Sequence, residues 1–240
     1  MGTGVQRPCE QRESNLQNSI GIFGKLPGHG DFIQRQLPAS FVSVWDEWLQ
    51  RVVHGSREIM GNEWLDYYLT SPVWRFVHAK GVIDESAWAG ILVPSVDSVG
   101  RYFPLTITAP LPAATDAFTF MAHEKDWFQG LSELAIGALQ NMLHVDQLSV
   151  AFAPVPTGLY TAILPGPQSD FYVSSGDASG IESSYAGLLG QLCKKSFASY
   201  SLWWCEGSQH LAPTSLLCPS LPSPEFYCSM LGARQPQVAM

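Results

Sequence analysis

Two stretches of the chain gather side chains able to do chemistry. The first, Gly21-Ile22-Phe23-Gly24-Lys25-Leu26-Pro27-Gly28-His29-Gly30-Asp31, combines glycines with a lysine, a histidine and a carboxylate. A phosphate-cradling loop needs G-x-x-x-x-G-K followed by Ser or Thr, whose hydroxyl holds magnesium. Here Leu26 follows Lys25, and Ser19 stands where the first glycine belongs. The dinucleotide fingerprint G-x-G-x-x-G is also missing. Pro27 and its flanking glycines suit a rigid turn that places Lys25, His29 and Asp31 at the mouth of a sheet. The second stretch runs from Pro94 to Pro104 and offers Ser95, Asp97 and Arg101. Ser95 has no G-x-S-x-G elbow around it, so a serine hydrolase is not indicated. Asp31 and Asp97 could be drawn as an acid–base pair, but Arg101 nearby would keep both ionised, the wrong state for a general acid. Two readings then remain. In the structural one, Asp97 accepts from the backbone and Arg101 bridges to it or to Asp31, tying two loops together. In the other, Lys25, Asp31, Asp97 and Arg101 form a recognition patch for a partner. No residue is assigned a catalytic role.

Metal and redox chemistry find little support. Cys9, Cys193, Cys205, Cys218 and Cys228 form no C-x-x-C pair, and the 6 histidines are scattered. Buried free thiols in a reducing compartment are the plain expectation, with no metal or cofactor. With 13 basic against 21 acidic residues, the net charge is −8, which argues against a nucleic-acid platform or an anionic-membrane binder. The longest apolar stretch, Ala87 to Val93, is far short of the roughly 20 residues that span a bilayer. The N-terminus has no apolar core of a signal peptide, so a cytoplasmic location is expected. Hydrophobic residues make up 46% and charged residues only 14%, which excludes global disorder. Such a chain must bury its 8 tryptophans or use them at an interface. Trp203 and Trp204 are adjacent in a strand and point to opposite faces. Unless that strand is covered on both sides, one of them is a candidate partner anchor.

The elements that position these groups follow from periodicity. Ser19–Lys25 reads as a strand. Phe41, Trp45, Trp48 and Val52 step at helical spacing between Pro38 and Gly61, with Glu47 and Arg51 on the other side. A short helix fits Glu63–Leu69. Val73–Pro110 reads as a three-strand antiparallel meander in which Trp88–Val93, apolar throughout, is a central strand covered on both faces. Helices fit Glu124–Leu143, Glu182–Phe197 and Pro224–Leu231. Short strands are expected at Ser149–Ala153, Leu159–Leu164, Phe171–Ser174 and Ser201–Cys205. The sum is an α/β protein, a layered α-β-α sandwich whose mixed sheet contains an antiparallel meander.

These residues resemble a known family. G-I-F-G-K-L-P-G-H-G-D-F at 21–32, W-D-x-W-L at 45–49, W-L-x-x-Y-L-T-S-P-V-W-R-F at 64–76 and W-A-G-I-L-V-P-S-V-D-S-V-G-R-Y-F-P-L-T at 88–106 are similar to the TagF (ImpM) accessory proteins of bacterial type VI secretion. S-L-W-W-C-E-G-S at 201–208 and L-P-S-P-x-F-Y-C-S-M-L at 221–231 extend the resemblance. It implies a cytoplasmic, non-enzymatic, post-translational repressor that binds the forkhead-associated scaffold protein Fha. It also implies one domain over 19–232: a motif region at 19–111, a variable middle at 112–180 and a helix-strand-helix end at 181–232. Residues 1–18 are expected as a disordered leader and 233–240 as a tail. The competing reading is an enzyme, or a nucleotide- or anion-responsive switch, built on the Gly24–Asp31 loop and Asp97.

Overall fold

The computed structural model describes residues 19–113, 115–158, 164–165, 172–173 and 182–233. A seven-stranded sheet forms the middle layer. Its strands are β1 (Gly21–Gly24), β2 (Ile33–Arg35), β3 (Trp74–His78), β4 (Trp88–Val93), β5 (Leu105–Pro110), β8 (Ser201–Cys205) and β9 (Thr214–Cys218). They lie in the order β2-β1-β5-β4-β3-β8-β9. A separate ladder pairs β6 (Leu164–Pro165) with β7 (Tyr172–Val173). β3, β4 and β5 are the expected meander, and β4, buried at every position, is the central strand.

Helices cover both faces. On one side lie α1 (Ala39–Met60), α2 (Trp64–Leu69) and α7 (Pro224–Leu231); on the other lie α3 (Ala117–His123), α4 (Lys125–Gln140), α5 (Val145–Ser149) and α6 (Glu182–Ser196). The layered α/β architecture is therefore as expected. The sheet differs in one respect: each pairing within it is antiparallel rather than mixed. The physical reason is that no helical crossover joins neighbouring strands. β2 leads through α1 and α2 into β3, which sits three strands away from β1 in the sheet.

The α1 face holds most of the aromatic load. Phe41, Trp45, Trp48, Leu49, Val52 and Val53 form the buried stripe of α1. Each indole N–H there finds an acceptor, as burial requires. Trp45 Nε1 donates to Thr106 Oγ1 at 2.8 Å, Trp48 Nε1 to the Pro222 carbonyl at 2.8 Å and Trp74 Nε1 to the Met230 carbonyl at 3.0 Å. His78 is the exception. It is wholly buried among Trp45, Phe76 and Trp203, and neither ring nitrogen has a hydrogen-bond partner. Burial pushes its pKa down to about 3, so it is a neutral imidazole.

Four elements were not foreseen: β2, α3, α5 and β9. The strand expected at Ser149–Ala153 does not form: Ser149 ends α5, a helix nucleated by a capping box. His144 Nδ1 accepts from the Asp146 amide, while Gln147 Oε1 accepts from the His144 amide. The expected strand at Leu159–Leu164 falls mostly outside the described residues, as do the leader 1–18, Cys9, the stretch 174–181 and the tail from 234. Cys193, Cys205, Cys218 and Cys228 are buried and free, and burial pushes each thiol up. Among the described residues no helix is long and apolar enough to cross a membrane.

Candidate functional site

The two sequence stretches meet at one end of the sheet, where β1 leaves and β4 turns towards β5. β1 ends on Gly24, whose φ of +124° suits glycine and whose missing Cβ would overlap the Pro104 carbonyl oxygen. The chain then turns so that Lys25 drives inward. Its Nζ meets Asp97 Oδ2 at 2.8 Å, with both side chains buried. The same oxygen accepts from Arg101 Nε at 2.7 Å. Asp97 Oδ1 accepts from the amides of Arg101 at 2.8 Å and Val99 at 3.1 Å, a turn-closing pattern typical of aspartate.

Burial alone would raise the Asp97 carboxyl. The hydrogen bonds from Lys25, from the Arg101 amide and guanidinium and from the Val99 amide outweigh it and hold the group well below the usual carboxylate range. Asp97 is thus a fixed anion bound by two cations, with no capacity left for proton transfer near neutrality.

Further bonds clamp the two loops. Ser95 Oγ donates to the Lys25 carbonyl at 2.7 Å, and the Ser98 amide donates to the His29 carbonyl at 2.9 Å. Arg101 Nη2 donates to the Gly30 carbonyl. Tyr68, from α2, donates its hydroxyl proton to the Ser95 carbonyl at 2.9 Å and accepts from the Ser95 amide at 3.0 Å. The His29 ring packs at a tilt against His144, 4.3 Å between centroids; burial, then His144 and Arg35, push its pKa down. Phe32 packs edge-on to Phe103 at 4.8 Å and lies 5.0 Å from Lys25 Nζ.

The outer rim of this clamp is exposed. Asp31 is fully solvated and only 3.9 Å from Arg101 at closest approach, and the Arg101 side chain is itself 56% exposed. Phe32 and Val99 stand beside them with more than half of their surface in water. Apolar side chains next to a solvent-exposed charge pair, on loops clamped from beneath, suit protein recognition.

Residues 21–154 match the family described as TagF N-terminal domain, type VI secretion system-associated. The chain belongs to the TagF family. A solved relative, the crystal structure of PA0076 from Pseudomonas aeruginosa PAO1, is 32% identical and superposes with a TM-score of 0.77. That comparison covers 92% of this chain and 98% of the other. No curated protein sequence matches the chain.

This TagF structure sorts the residues singled out in the sequence. Asp31 and Arg101 are accessible. Lys25 and Asp97 are not: their charges are spent on each other beneath the rim, so as direct partner contacts they are corrected to internal supports. Trp203 is likewise corrected. The strand carrying it is covered on both sides, and its ring is wholly buried against Trp48 and Phe76. Trp204 points the other way, packs on Phe128 at 4.7 Å and keeps one edge in an open cleft. Sequence reasoning missed Phe32, Val99 and Tyr68 at the clamp. It also missed Arg75, a charged residue inside the otherwise apolar W-R-F-V-H strand, which was signal enough to find it.

Proposed function

We propose that this TagF chain is a non-enzymatic accessory protein of type VI secretion, acting in the cytoplasm. It represses assembly or firing by binding the forkhead-associated scaffold Fha through the loop-cluster rim. The carrying observation is that Lys25, Asp97 and Arg101 saturate one another and the backbone. The buried cation and carboxylate that an enzyme or a nucleotide switch would draw on here, Lys25 and Asp97, are already occupied. What remains for a partner is Asp31, Phe32, Val99 and the outer guanidinium of Arg101 on a backbone held rigid from beneath. Preorganised anchors of this kind save the ordering cost of association.

The experiment is a calorimetric titration of Fha into the wild-type chain and into Asp31→Lys, with a thermal melt of each. Saturable binding by the wild type, weakened by Asp31→Lys with an unchanged melt, supports the reading. A wild-type chain that fails to bind Fha at micromolar concentrations refutes it.

A further inference from the structure

The rim loop rests on a neighbour whose contact depends on charge. Gly28 lies against the turn between α4 and α5, where a Cβ on it would come within 2.9 Å of the Met142 carbonyl oxygen. Beside it the His29 ring meets the His144 ring, with centroids 4.3 Å apart and planes tilted by 41°. Both nitrogens of His29 are buried, and neither has a hydrogen-bond partner among the described residues. The backbone of the same residue holds the clamp together. Its amide donates to the Leu26 carbonyl at 3.0 Å, and its carbonyl accepts from the Ser98 amide at 2.9 Å. Asp31 and Phe32 of the exposed rim belong to the same loop.

The charged groups around this ring pair mostly oppose a proton on His29. Burial is the largest penalty, followed by His144 and by Arg35 on β2; Asp146 on α5 attracts the proton, but more weakly. Arg101, across the loop, donates to the Gly30 carbonyl and is itself paired with Asp97. His144 stands differently. Its Nδ1 accepts from the Asp146 amide at 3.4 Å, which requires a bare nitrogen. The same Nδ1 lies 3.2 Å from Asp146 Oδ2, which suits a protonated one. Asp146 Oδ1 is in turn 3.8 Å from Arg35 Nε. A proton on His144 thus finds a carboxylate. A proton on His29 finds no acceptor among the described residues and faces Arg35 and, where His144 is charged, a second cation at ring contact.

We infer that the His29–His144 contact is an acid-released latch beneath the rim. With both imidazoles neutral, the loop from Pro27 to Asp31 is seated on the α4–α5 turn. A protonated His29 must leave that seat for water, which carries Gly28 off the Met142 carbonyl, breaks the Ser98–His29 backbone bond and frees the rim. The size of the effect follows from linkage. The seated ring resists a proton that the released ring takes up at its ordinary pKa of about 6.5. At pH 5.5 a released histidine is protonated about ten to one, so release is favoured by up to about tenfold relative to pH 7.5. The base of the clamp holds meanwhile, because the Asp97 carboxyl stays ionised far below this range. The latch belongs to the chain itself and does not depend on which partner the rim takes.

The test is amide hydrogen exchange of the free wild-type chain at pH 7.5 and pH 5.5, normalised for intrinsic rates and read on peptides spanning 27–32 and 95–101. Protection there should fall by about three- to tenfold at pH 5.5, with β4 as the internal reference for global opening. In His29→Phe, which keeps a ring at the contact but takes no proton, protection should change by less than about twofold. His29→Gln, neutral at both pH values, should behave alike. Unchanged protection in the wild type, or an equal fall in the two variants, overturns the latch. A fall that β4 shares in equal measure overturns it too, because the loop then opens only with the whole molecule.

Discussion

Replacing His78 with leucine should flatten the acid side of the stability profile. In the native protein this imidazole is wholly buried, without a partner for either nitrogen, and titrates near pH 3. In the unfolded chain it titrates near 6.5. As pH falls below 6.5 the unfolded state takes up a proton that the native state refuses, so stability drops progressively towards pH 3. At 1.36 kcal/mol per pKa unit, the loss is about 2 kcal/mol at pH 5 and about 4 kcal/mol near pH 3. Asp97 does not intrude at pH 5. Its carboxyl is depressed in the native state, so its contribution is intact above the unfolded carboxylate pKa and fades only below it. His29, whose pKa burial also pushes down, is common to both proteins. Urea unfolding followed by tryptophan fluorescence at pH 7.5 and pH 5 should therefore show the wild type losing about 2 kcal/mol more than His78→Leu. Parallel losses in the two proteins would refute the reasoning.

Three other outcomes can be checked by the same unfolding measurements. Lys25→Met removes one of the two cations that hold the buried Asp97 carboxylate; the melting temperature should fall by about 10 °C. Thr106→Val leaves the Trp45 indole N–H without an acceptor in the core and should cost about 2 kcal/mol. Gly90→Ala places a Cβ onto the Ile107 carbonyl oxygen between two central strands, so it should destabilise by about 3 kcal/mol or prevent folding, as no side-chain shift can relieve backbone overlap.

The longest periodic segments were the legible ones. α1, α4 and β4 declare themselves because their burial is one-sided or total, and hydrophobic spacing records that directly. β2 is three residues long with one buried position, and β9 alternates half-buried Thr214 and Leu216 with exposed Ser215 and Leu217 at a sheet edge, so neither leaves much pattern. α5 is set by a histidine cap, an unusual choice that composition rules do not flag. At the candidate site, residue types and spacing were enough to offer Asp97, alongside Asp31, as a partner for Arg101. They could not show that Lys25, 72 positions away, completes the pair from beneath. That contact depends on β1 lying beside β5, a tertiary choice invisible to local reading. The Trp203–Trp204 step pointed rightly to two faces, but only the helical layers decide which face stays open.

The TagF N-terminal match stops at residue 154, yet the molecule does not divide there. β8 and β9 extend the sheet beside β3, and α7 with the loop before it roofs α1, the Pro222 carbonyl of that loop and the Met230 carbonyl of α7 accepting the Trp48 and Trp74 indole protons. A fragment severed after 154 would carry a raw strand edge and two orphaned donors in a core stripped of its lid. The sequence family's border and the cooperative folding unit are therefore different objects. Anyone dissecting this protein by truncation would be studying a sticky remnant rather than a smaller working part.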